Sequence, residues 1–158
     1  MMHRRNQTGF SLLQILVGLT SVLILSAIAI PLFLHSKMAA NEAGAMGTLR
    51  TVNSSCIVYS WKWGTGYPVG LSNLGLAKPP SASAADLVDS SVAEGTQSGY
   101  ALTYISGAPA NGKIRTYTIN ADPVVSGKTG RRHFFTDQSG VIRYDFSGPA
   151  TVSSPPVR

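Results

Sequence analysis

The chain changes character twice along its length. Residues 1–9 are polar, with Arg4 and Arg5. From Phe10 to Leu34, 18 of 25 residues are apolar and none is charged. At ~1.5 Å per residue such a helix covers ~37 Å, enough for a ~30 Å hydrocarbon layer with some tilt. Beyond Leu34 the apolar positions thin into a stripe. Met38, Ala45, Leu49, Val52, Cys56, Tyr59 and Trp63 follow steps of three and four, with Glu42 filling the gap after Met38. That spacing predicts one face of an amphipathic helix. Gly64-Thr65-Gly66 and Pro68 end it. One helix of roughly 50 residues is therefore expected, from Phe10 to near Trp63, apolar all round in its first half and one-faced in its second.

The pattern then shifts to a period of two. Residues 66–85 are rich in Gly, Pro, Ser and Ala and read as a loop, followed by a short helix over residues 84–93 behind the capping residues Ser83 to Asp86. Four strands are predicted: Tyr100–Ser106, Ile114–Ala121, Arg132–Thr136 and Val141–Phe146. Gly107 to Gly112 and Asp137 to Gly140 supply the turns. Short links favour an antiparallel meander. The fold class is thus α+β: a long N-terminal helix packed on a small C-terminal antiparallel sheet of about four strands. The expected organisation is a leader over residues 1–9, a membrane or filament-core helix over 10–34, its amphipathic continuation over 35–64, loop and sheet over 65–146, and an irregular tail over 147–158 with three prolines.

Composition narrows the function. The 158 residues carry 13 Lys and Arg against 7 Asp and Glu, and only 13% are charged, about half the ~25% usual for soluble domains. A single cysteine, Cys56, excludes an intrachain disulfide and reads as a small core residue on the stripe. Arg4 and Arg5 before the apolar run, with only Lys37 soon after it, place the N-terminus in the cytoplasm. Three processing routes fit these residues. The run is a plain anchor, or a signal peptide cut at the Ala27-Ile28-Ala29 box, or a helix retained after a leader is removed at Gly9.

The segment Gly9-Phe10-Ser11-Leu12-Leu13-Gln14-Ile15-Leu16-Val17 resembles the processing signal of type IV pilins and type II secretion pseudopilins. The resemblance covers about the first 35 residues and favours the third route. It implies cleavage between Gly9 and Phe10 by a prepilin peptidase and methylation of the new amine. It implies partners as well: other pilin or pseudopilin subunits, an inner-membrane assembly platform with a separate ATPase, and the lipid bilayer. Pro31 falls where the family's helix usually carries a proline, which removes a backbone donor and kinks or loosens the helix. One position departs from the pattern. The family usually has Glu where this chain has Gln14. A carboxylate pairs with the N-terminal amine of a neighbouring subunit and sets the register, whereas Gln14 accepts a hydrogen bond without neutralising that charge. A minor or tip position, weak assembly, and sufficiency of the amide all fit. So does a merely tolerated polar residue. The run Phe134–Asp145 also resembles the closing hairpin of pseudopilin-like proteins, some of which bind calcium there. Asp122, Asp137 and Asp145 are the scattered candidates for such a site.

Catalytic motifs fail on inspection. Ser126-Gly127-Lys128-Thr129 matches the end of a phosphate-binding loop, but its first glycine is replaced by Asp122 and strand residues follow it. His3, His35 and His133 are isolated, and Asp86 with Asp89 on one helix face reads as solvated surface. Lys128, Arg131 and Arg132 form one basic cluster, fewer than the phosphate contacts strong nucleic-acid binding draws on. Asn53-Ser54-Ser55 fits a glycosylation sequon but lies in the helix. The expectation is a non-enzymatic structural subunit of a type IV pilus-like or pseudopilus filament. The alternative is an anchored or secreted periplasmic binding module that does not polymerise.

Overall fold

Fifty-two residues wind into α1, Leu12–Trp63, with Pro31 inside it. The computed structural model describes residues 11–157. Contacts divide the chain into two units, and the boundary between Ser36 and Lys37 falls within this helix.

In the first unit, the Ser11 carbonyl opens the helix by accepting from the Gln14 N–H at 2.9 Å and the Ile15 N–H at 3.3 Å. The helix passes through Pro31 without interruption. The hydroxyls of Thr20 and Ser21 donate to the Val17 carbonyl, and Ser26 donates to that of Val22. These polar groups are thereby satisfied within the helix.

In the second unit, the predicted stripe is the core. Ala45, Leu49, Val52 and Cys56 are fully buried, Met38 and Tyr59 nearly so, and Trp63 packs at the edge. Gly64, at φ +68°, sits where a left-handed residue closes a helix, and its N–H returns to the Ser60 carbonyl at 3.1 Å. Gly66 follows at φ +86°, so close to the Ile114 backbone that a side chain would collide with it.

The sheet partner comprises β1 (Thr96–Gln97), β2 (Tyr100–Ser106), β5 (Tyr117–Pro123), β6 (His133–Asp137) and β7 (Arg143–Asp145), hydrogen-bonded antiparallel in that order. Register aligns Leu102, Ala121, Phe134 and Tyr144 in one row, and Tyr104, Ile119 and Thr136 in the next. These rows meet the stripe, with Tyr100, Tyr117 and Phe134 the largest fully buried side chains. The fold is α+β.

Several elements differ from expectation. The strand predicted over 114–121 is split. Ile114 belongs to a separate hairpin, β3 (Pro109–Ala110) with β4 (Lys113–Ile114), turned by Asn111 and Gly112, both at positive φ. That Asn-Gly pair is the strongest short hairpin signal a sequence offers. The helix predicted over 84–93 shrinks to α2, Ser90–Ala93. Asp86 adopts φ +57°, and the N–H groups of Ala85, Asp86 and Leu87 donate to Asn73, Gly75 and Leu74 instead of to a preceding turn. Those acceptors lie in and just after a 3₁₀ turn, Leu71–Leu74, in the stretch expected to be loop. The tail is irregular but docked. Tyr144 donates to Pro155, Val157 to Ile142, and the Asn120 amide to Ala150. Two adjacent prolines on the β7 edge deny a further strand its donors.

Candidate functional site

Among the described residues, the apolar segment of α1 leaves its large side chains uncovered. Fifteen large apolar side chains between Leu12 and Leu34 are 52–85% exposed. Their most apolar 18-residue window has a mean hydropathy of 2.5, and none of it is buried. Moving one such side chain out of water is worth ~1.5–3 kcal/mol. Together they represent roughly tens of kcal/mol, above the ~5–15 kcal/mol of a whole domain. The helix contains a segment long and apolar enough to cross a membrane. Gln14 lies in its first turn, exposed. Gly9 and Phe10 lie outside the described residues.

The second unit holds a charged junction on the stripe itself. Glu42 Oε1 accepts the backbone N–H of Arg131 at 2.8 Å and of Arg132 at 3.3 Å. Its Oε2 accepts from the Arg132 Nε at 2.7 Å. The Arg132 guanidinium lies 5.4 Å from the Phe134 ring centre and 5.8 Å from that of Tyr144. One residue earlier, the Asn41 amide donates to the Thr129 carbonyl at 2.8 Å. Burial alone would raise the Glu42 pKa. The three donated hydrogen bonds and the arginine charge outweigh it and hold the carboxyl below its usual value of 4.5. Asn41 and Glu42 thus fasten residues 129–132 to the helix. Arg132 does not belong to a free basic cluster, although Lys128 stays exposed. The signal for this pair was the lone acid on an apolar stripe, since a buried carboxylate demands a partner.

Further along the helix, Asn53 bridges Thr136 Oγ1 and the Tyr117 hydroxyl, each at 2.9 Å. It is buried, so the sequon's amide is engaged inside the core. Cys56 is enclosed beside Tyr104 and Tyr117. Burial pushes its thiol up to about 12, against the smaller opposing effect of hydrogen bonds from those tyrosines. That suits packing, not thiolate chemistry.

The three aspartates are not brought together. Asp122 Oδ1 lies 2.6 Å from His133 Nδ1 across the β5–β6 pair. Asp137 Oδ1 accepts the Ser139 N–H in the turn before β7. Asp145 Oδ1 accepts the Ser147 hydroxyl and N–H, which hold its carboxyl below the ordinary value. Among the described residues no group of three His, Cys, Asp or Glu side chains is placed to hold a metal. Asp86 and Asp89 share no helix face, because both precede α2. The Ser126–Thr129 segment is a tight turn, with the Lys128 and Thr129 N–H groups on the Val125 carbonyl, and it leads into β6. His35 is exposed.

No protein-family model, curated protein or solved structure matches the chain.

Proposed function

We propose that the chain is a non-enzymatic structural subunit of a type IV pilus-like or pseudopilus filament. In this reading a prepilin peptidase cuts after Gly9 and methylates Phe10. The helix waits in the inner membrane with its N-terminus cytoplasmic. An assembly platform, driven by a separate ATPase, then moves the subunit from lipid into a bundle of like helices. The observation that carries the reading is the contrast within α1. Its first half presents apolar side chains on every side, while one stripe of its second half is buried in the chain's own core. A surface apolar all round suits both lipid and a helical filament core, so transfer between them leaves it covered throughout. Phe10 and Gln14 would make the register contacts, and Pro31 would give the helix room to bend.

The second reading is an anchored or secreted periplasmic module that never polymerises. Gln14 favours it, because an amide cannot neutralise a neighbour's amine, and so does the Ala27-Ile28-Ala29 box. Shearing cells of the native host and sedimenting the released material separates the two. A subunit appears in sheared filaments, and Gln14→Glu assembles at least as well. An anchor or secreted module gives no filament with either chain.

A further inference from the structure

The turn between β5 and β6 presents apolar and cationic side chains together. Val124 is 60% and Val125 45% exposed, and Lys128 and Arg131 are exposed in the same turn. Residues 123–132 contain no acid. On α1, Lys37 is exposed and stands one turn before Asn41, on the same face. Asn41 donates to the Thr129 carbonyl at 2.8 Å, so Lys37 adjoins the turn. The neighbouring acids are engaged. Glu42 accepts from the Arg131 N–H and the Arg132 Nε, and Asp122 Oδ1 lies 2.6 Å from His133 Nδ1.

The turn is held in one shape. The Val125 carbonyl accepts the Lys128 N–H at 3.0 Å and the Thr129 N–H at 2.9 Å, and the Gly127 N–H returns to the Gly130 carbonyl at 2.9 Å. Its base is clamped by the Val124 N–H on the Gly99 carbonyl at 3.0 Å and by the Tyr100 hydroxyl on the Arg132 carbonyl at 2.9 Å. Gly130 lies so close to Tyr100 that a side chain there would collide with it. A turn already ordered loses little freedom when it meets a partner.

The length of chain limits where that partner lies. Asn41 is seven residues beyond Leu34, the end of the apolar run. Seven residues reach at most ~25 Å in any conformation. A membrane spanned by the run therefore keeps Asn41 within that distance of its boundary. So short a tether holds the turn at high local concentration beside the bilayer, where a few cations suffice. We propose that the Val124–Arg131 turn rests on the bilayer surface. Lys37, Lys128 and Arg131 meet anionic lipid headgroups, and Val124 and Val125 enter the boundary between headgroups and acyl chains. The contact orients the sheet unit on the membrane before any assembly step. It rests on the reading of an anchored helix, which the filament precursor and the anchored module share.

The test uses the full chain reconstituted into vesicles, with a fluorescent label at Ser126→Cys. Ser126 is exposed within the turn and carries none of the proposed contacts, and the native Cys56 is buried. A chain labelled at Ser72→Cys is the control. Its 3₁₀ turn accepts the Leu87 N–H at Leu74, and the Leu87 carbonyl accepts the Ser55 hydroxyl. Ser55 stands fourteen residues beyond Asn41 on the same helix, ~21 Å further along. The vesicles are equal parts phosphatidylcholine and phosphatidylglycerol, or phosphatidylcholine alone, each with a spin-labelled headgroup as quencher. Flotation reads the anchor, and quenching reads the contact. The label at residue 126 should be quenched in the anionic vesicles, less so in added salt, and not in the neutral ones. The label at residue 72 should be quenched in neither. Lys128→Gln and Arg131→Gln should each lower the ratio of docked to free turn about fivefold, the worth of one cation at an anionic surface. Arg131 reaches Glu42 through its backbone N–H, so its substitution spares that junction. A chain that floats with both vesicles but shows equal quenching at residue 126 in both, or none in either, overturns the contact and leaves the anchor standing. Blue-shifted emission there without quenching also overturns it and assigns the turn to a protein neighbour. A chain that floats with neither vesicle overturns the anchored helix and the contact that depends on it.

Discussion

One helix runs through two regions that obey different rules. From Lys37 to Trp63 its apolar side chains lie mainly on one stripe, the stripe is covered, and the polar groups that fall on it are bonded. Glu42 takes three donors, and Asn53 bonds on both sides. From Ser11 to Ser36 apolar side chains point in all directions, and no side chain is buried. The first region is completed by its own chain. The second is left uncovered by the described residues, and the same secondary structure conceals that difference. Periodicity, not helicity, records which half folds against itself.

The sharpest way to break this comparison is to truncate one large side chain in each half. Phe134→Ala, removing the fully buried ring beneath the stripe, should cost about 3–5 kcal/mol and unfold the sheet unit at a visibly lower temperature. Leu23→Ala should leave that transition unchanged. Both are read by near-ultraviolet circular dichroism of the full chain in detergent.

Leu23→Arg reverses the roles. It should leave the sheet unit folded yet weaken membrane insertion by about 2.5–3.5 kcal/mol, the cost of a cation at mid-span. Partition between the membrane and soluble fractions measures it.

Glu42→Ala should destabilise the sheet unit by about 2–3 kcal/mol, because it leaves the Arg131 and Arg132 N–H groups and a guanidinium without their acceptor. Acid should produce a milder version of the same loss. The Glu42 carboxyl is held below 4.5, so its contribution is fully present above that value. It disappears as pH falls through the lower folded value. Glu42→Gln should flatten this part of the acid limb, followed by thermal unfolding between about pH 5 and 3.

The smallest effect is kinetic. Cys56, with its thiol pushed up to about 12, should resist maleimide at pH 8 in the folded chain and react promptly once urea unfolds it. Rapid labelling without denaturant would mean the stripe is open to solvent.

Much of this was legible in the amino-acid pattern. Steps of three and four from Met38 to Trp63 mark the face that became the core, and alternation over Tyr100–Ser106 defines β2. What escaped depends on contacts between distant residues. The break at Arg115 and Thr116 accompanies the approach of Gly66 to Ile114, far apart in the chain. The missing helical turns over residues 84–89 follow from hydrogen bonds to Leu74 and Gly75 that no local propensity encodes. Glu42 was visible as the residue filling the stripe, but its partner lies 90 positions away. The scattered Asp122, Asp137 and Asp145 meet a different limit. Composition shows that oxygen ligands exist, and only geometry shows that each already has a local or cross-strand partner.

The measurement that bears most directly on the filament proposal is the intact mass and first residue of the mature chain from its native host. The account predicts a chain that begins at Phe10 and carries one extra methyl group. A chain that begins at Ile30, or one that retains Met1, would contradict it.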